Sequence, residues 1–311
     1  MHTIRNAILL ALAAALAGLP AAARATGKLR VVATTTDVGA VMQAVGGDRV
    51  QVTTIARGYQ DPHYVEAKPS FLVALRKADV LAYVGLHLEV GWLPLLIDGA
   101  HNQAIVAGAP GNLPLSLGLE ILEVPTGPLS RASGDVHPEG NPHYWLDPRN
   151  IIKMAATAER GMSRLDPAGA PAYARNRDAF VDKLQGQIPV WEKRMAPWRG
   201  KTLVCYHKEY EYLARWLDLD ILDYVESKPG IPPSPRHLQE LEATMKQRQV
   251  LVLVASVFVR PGELEELGQR TGAELVILPP SVGADNGVDD IFALFDRITA
   301  DLDAAFGKAR S

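Results

Sequence analysis

Cysteine is almost missing from this chain. Cys205 is the only one, so no internal disulfide can form, and an oxidising compartment is permitted but not used. Basic excess is missing as well: 32 Lys and Arg stand against 35 Asp and Glu, a formal net charge of -3 that gives no support for nucleic-acid binding, which usually shows as a clustered basic surface. There is no internal repeat, no low-complexity block, no long apolar segment beyond the N-terminal one, and no H-E-x-x-H helix of the kind that sets a base beside a metal ligand. Function must therefore sit in particular side chains of an otherwise well-cored soluble chain, 48% hydrophobic and 22% charged.

The N-terminal apolar stretch reads as a secretory signal over residues 1–25. Arg5 supplies a positive start, Ala7 to Leu19 is uncharged and rich in Ala and Leu, Pro20 breaks it, and Ala23-Arg24-Ala25 offers an A-x-A cleavage site. The stretch is shorter than the roughly 20 residues that span a bilayer. Cys205 lies far from the cleavage point, so no lipidation cysteine is placed there, and a free periplasmic protein starting near Thr26 is expected.

Coarse patterning alternates strands and helices, the rhythm of mainly parallel sheets with helices on both faces. Strands are expected over 29–34, 50–55 and 80–84, with helices over 38–46 and 69–77 and another starting near Asn150. Residues 170–198 keep Tyr173, Phe180, Leu184 and Ile188 at helical spacing and read as a connector. The rhythm then restarts with strands over 202–206, 221–225, 250–255 and 275–278 and helices over 208–216, 235–247 and 289–306. The expected organisation is an N-terminal α/β lobe over 26–165, a connecting helix over 166–198 and a C-terminal α/β lobe over 199–311, with a cleft between the lobes.

In open parallel sheets, ligands bind beyond the carboxyl ends of the strands. His207 directly follows the strand TLVCY; His63 lies in Gln60-Asp61-Pro62-His63-Tyr64 after the second strand; His143 lies in Gly140-Asn141-Pro142-His143-Tyr144. Both latter histidines follow a proline, which restricts how the chain enters the site. Three neutral imidazoles and one further donor make a tetrahedral zinc-type site that would tie the lobes together. His87, His101 and His237 do not share that placement. His137, close to His143 in sequence, reads by default as a surface-loop residue, with a transient or supporting donor role as the alternative.

The segments DPHYVEAKPS (61–70), GNPHYWLDPRN (140–150), YHKEYEYLARWLDL (206–219) and ESKPGIPPSPRHLQEL (226–241) together resemble the ZnuA/TroA-like metal-binding proteins of bacterial zinc and manganese ABC importers, and the resemblance runs through the mature chain. It implies metal ligation by His63, His143 and His207, a rigid helix joining two lobes, no enzymatic activity, and the permease subunits of an ABC transporter as partners of a monomer. Many members take a fourth, carboxylate ligand from the loop after the last strand of the second lobe; here that stretch is Leu278-Pro279-Pro280-Ser281-Val282-Gly283, with proline in the expected place. Glu226 is the first substitute, Asp285 the second and water the third, while an ion pair of Glu226 with Lys228 or Lys208 is the competing reading. The acidic, histidine-rich loop of some zinc-specific relatives is also missing, since Pro125 to Glu139 holds only His137.

Three histidines favour Zn2+ over Mn2+, which prefers oxygen donors, while Cu2+ and Ni2+ would also bind imidazole well. Two other functional classes fit fewer features. A zinc-dependent hydrolase would use the same three histidines with an open fourth position, but the candidate base Glu209 would face solvent on a helix starting at Lys208. A metal-binding adhesin-like protein would need an exposed apolar patch.

Overall fold

In a computed structural model, residues 27–127, 134 and 136–310 are described, so the expected signal over 1–25 lies outside them. The first sheet contains β1 (Leu29–Ala33), β2 (Val50–Thr54), β3 (Val80–Tyr83) and β4 (Asn112–Pro114), all parallel, in the order β2-β1-β3-β4. The second contains β5 (Thr202–Cys205), β6 (Asp220–Tyr224), β7 (Val252–Ser256) and β8 (Glu274–Leu278), also parallel, in the order β6-β5-β7-β8. The two lobes thus repeat one topology without repeating a sequence. Strand β3 and the first four residues of β7 are apolar runs because helices cover both faces of each sheet, and every residue of β7 is buried.

The helices of the first lobe are α1 (Thr36–Gly46), α2 (Pro69–Lys77), α3 (Leu93–Ala100) and α4 (Pro148–Leu165). Their starts follow local chemistry. Thr35 caps α1 by accepting from Val38 N at 3.3 Å, and Asp147 caps α4, with Pro148 in its first turn where a missing N–H costs nothing. The long helix α5 (Ala170–Met195) joins the lobes and runs through Pro189. The second lobe adds α6 (Glu211–Leu217), α7 (Pro235–Arg248), α8 (Gly262–Thr271) and α9 (Ile291–Arg310).

One apolar core runs through both lobes and the connector, from Val31 and Val80 through Trp145 and Trp191 to Val254 and Phe306. Trp191 and Trp198 on the connector side pack on Phe295 and Phe306 of α9, with centroids 5.2 and 5.3 Å apart. Their indole N–H groups donate to Asp296 and Asp303 at 2.8 and 2.7 Å. Each buried aromatic contributes about 2–3 kcal/mol through area alone, so the connector is anchored to the second lobe rather than strung between two independent bodies.

The sequence pattern missed β4, α3 and α8, and it started two helices early: α9 opens at Ile291, not Asp289, and α6 opens at Glu211, not Lys208, because residues 207–210 turn sharply at the end of β5. Among the described residues no helix is long and apolar enough to cross a membrane.

Candidate metal centre

The carboxyl end of β5 and two loops of the first lobe bring His63, His143 and His207 to one point. Their ring centroids form a nearly equilateral triangle, 5.3 Å for His63–His143 and 5.6 Å for each of the other two sides. One ligand nitrogen from each lies within 4.8 Å of the others. His143 is buried, His63 and His207 nearly so, and they open on a cleft of about 240 Å³ that is also lined by Asp61, Glu209 and Glu226.

Two of the histidines are held by the same local device. In Asp61-Pro62-His63 the Asp61 Oδ1 accepts from His63 N at 2.9 Å and lies 2.7 Å from His63 Nδ1. In Asn141-Pro142-His143 the Asn141 Oδ1 accepts from His143 N at 2.9 Å and lies 3.0 Å from His143 Nδ1. An Asx side chain closes the turn on the backbone two residues ahead, proline restricts the residue between, and the same oxygen then fixes the ring. With Nδ1 as donor, Nε2 is left to face the cleft. Asp61 and Asn141 were missed as site residues, although the repeated Asx-Pro-His spelling was a signal that could have found them.

His207 is held differently. The β5–β6 ladder continues past the strands, with Glu226 N donating to Tyr206 O at 2.9 Å, and this sets the Glu226 carboxylate beside the next residue. Glu226 Oε2 lies 2.8 Å from His207 Nδ1 and also accepts from Gly230 N at 3.1 Å. Glu226 therefore stands behind a histidine. Lys208, named above as its possible ion-pair partner, reaches Glu123 at 2.5 Å instead, and Asp285 pairs with Arg297 on α9 at 2.5 Å.

The proline-bearing loop after β8 has a different use. Trp145 Nε1 donates to Pro280 O at 2.9 Å, and Val282 N donates to Asp37 Oδ1 at 3.0 Å. A Cβ on Gly58 would come within 2.1 Å of Val282 O, so only glycine lets the first lobe lie against this loop. The loop fastens the two lobes together.

The charges around the triangle are uneven. Burial, followed by the neighbouring charges of His63, His207 and His137, drives the His143 pKa well below 6.5, so its imidazole is neutral. Burial also opposes charge on His207, but the Glu226 hydrogen bond and the charges of Glu209, Glu226 and Asp61 outweigh it and raise its pKa. Glu209 does not face solvent as expected: it is 4% exposed, because the turn ahead of α6 directs it inward, and burial pushes its carboxyl up to about 7. His137 lies against His63, with Nε2 to Nε2 at 3.3 Å, instead of standing out on a surface loop.

A family model described as zinc-uptake complex component A, periplasmic, matches residues 31–305. The chain belongs to this ZnuA family. The family is one of solute-binding proteins rather than enzymes, which removes the hydrolase alternative. The chain is similar to the zinc-binding lipoprotein AdcA of Streptococcus pneumoniae, 24% identical over 258 residues that cover 83% of this chain and 51% of AdcA. It thus spans about half the length of that relative. It is also similar to the manganese-binding lipoprotein MntA of Halalkalibacterium halodurans, 23% identical over 79% of this chain and 77% of MntA. Among solved structures, a crystal structure of ZnuA has the same fold, with a TM-score of 0.74, 22% identity, and coverage of 89% of this chain and 99% of that one. The ZnuA-family fold is thus built here around three histidines, and its relatives are named for different metals.

Proposed function

We propose that the protein is a periplasmic solute-binding protein that captures a divalent metal, zinc, on His63, His143 and His207 and delivers it to the permease of an ABC importer. The observation that carries this reading is the orientation of the imidazoles: each of the three has an acceptor at Nδ1, which turns its Nε2 toward a common point. Outer partners of this kind fix the tautomer and raise ligand basicity in metal sites. An all-imidazole set favours zinc over manganese, and the MntA likeness does not alter that chemistry.

Within this reading Glu226 orients His207 and does not bind the ion. The chain divides at 26–165, 166–198 and 199–311, export removes residues 1–25, and the protein works as a monomer, since all three histidines and their acceptors come from one chain. Elemental analysis of protein purified from the native periplasm tests the choice of metal. Zinc near one equivalent is expected; manganese or iron in its place would overturn it.

A further inference from the structure

We propose that His137 is the fourth ligand of the bound ion. This rests on the three-histidine reading above and completes its shell with a fourth imidazole.

His137 Nε2 lies 3.3 Å from His63 Nε2, the nitrogen that Asp61 leaves facing the cleft. Two nitrogens bound at about 2.0–2.1 Å to one tetrahedral zinc are separated by roughly 3.3–3.4 Å, so this pair already stands at the spacing of a coordination edge. The His63–His137 ring separation, 5.3 Å, equals that of His63–His143. His137 also shares a small cavity of about 70 Å³ with His143 and His207.

The chain between the two histidines is built to return His137 to this place. Gly140 N donates to His137 O at 3.1 Å, and Gly140 adopts a φ of +101°, closed to other residues; a Cβ there would also meet Leu122 O at 2.7 Å. The turn thus folds His137 and His143 into one cleft. The carboxylates that stood as alternatives are engaged elsewhere, Glu226 at His207 Nδ1 and Asp285 at Arg297.

His137 is 6.4 Å from His143 between ring centroids and stands outside the group whose ligand atoms all lie within 4.8 Å. Closing the shell therefore requires the 136–140 turn to bring its imidazole toward His143 and His207 as the ion binds. The fourth ligand then comes from a turn rather than from a sheet, and withdrawing it reopens the ion to solvent while the other three keep their own Nδ1 acceptors.

X-ray absorption at the zinc edge, with calorimetric titration of zinc, tests this on the full mature chain and on His137→Ala. The expected result is four imidazole shells in the wild type, three plus a light oxygen scatterer in the variant, and zinc affinity weaker by about tenfold to a hundredfold or more, given what loss of even an outer partner does. Added imidazole should restore the four-nitrogen shell of His137→Ala, which a merely misfolded variant would not do. Three imidazoles and one oxygen in the wild type, unchanged by the substitution, would overturn the proposal while leaving the three-histidine site intact. A wild type that takes up no zinc would overturn both.

Discussion

Glu226 Oε2 lies 2.8 Å from His207 Nδ1, and with a carboxylate there the ring proton belongs on Nδ1 and the lone pair on Nε2. The strand-end acid that looked like a ligand in the sequence touches the ring nitrogen of His207, and in the function proposed above it supports that ring. Its removal should weaken zinc binding by about tenfold to a hundredfold in Glu226→Ala without changing the number of imidazoles on the metal, and Glu226→Gln, which keeps an acceptor, should lose less. Calorimetry with zinc-edge absorption checks this. Loss of an oxygen scatterer in Glu226→Ala would make Glu226 a ligand after all.

Zinc affinity should decline as pH falls, because the ligands bind as neutral imidazoles. His143 adds no proton competition near neutrality, its pKa being driven well below 6.5 by burial first and by the neighbouring histidines second. His207 does compete: its acidic neighbours overcome burial and raise its pKa, so affinity should begin to fall above pH 6.5 and approach about a tenfold loss per pH unit below it. A chelator competition from pH 8 to 5.5 measures the slope. A flat profile across that range would remove His207 from the shell.

Stability of the metal-free protein should respond to Asp37. Burial pushes its carboxyl from 3.8 to about 6 despite the bond from Val282 N, so the folded chain prefers the protonated acid. The penalty is absent below the unfolded value of 3.8 and complete above about 6, a span worth about 3 kcal/mol. Wild type should therefore lose stability relative to Asp37→Asn as pH rises from 4 to 7. Urea melts at several pH values read the difference; curves that stay parallel would show that Asp37 titrates normally.

Much of the architecture was legible because its signals are local. The strand read as TLVCY is observed over Thr202–Cys205, one residue shorter, so His207 could still be placed at a sheet's carboxyl edge, and Pro69 to Lys77 is a helix with the bounds read from sequence. Strand β4 was not legible: it is three residues ending in proline, and its strand character comes only from pairing with β3. The burial of Glu209 depends on the turn before α6 and on groups distant in sequence, including Ser256 at the end of β7, the strand beside β5. The loop at Pro280 looked like a lost ligand because its partners, Trp145, Asp37 and Gly58, all lie in the other lobe.

That loop should tolerate little change on the facing surface. Gly58→Ala would drive a methyl group to 2.1 Å from Val282 O, a backbone atom that cannot swing aside as a side chain would. Displacing it should cost about 1–3 kcal/mol of stability, as overpacking commonly does. Thermal melts check it, and a variant as stable as wild type would show that the two lobes are not held tightly at this contact.

The histidine triangle itself is best tested by titrating zinc calorimetrically into metal-free wild type and into the variant with His63, His143 and His207 all changed to Ala. One tight site per chain in the wild type, lost in the variant while its fold persists by circular dichroism, is the expected result. Tight zinc binding that survives the triple substitution would place the ion elsewhere and end the three-histidine reading.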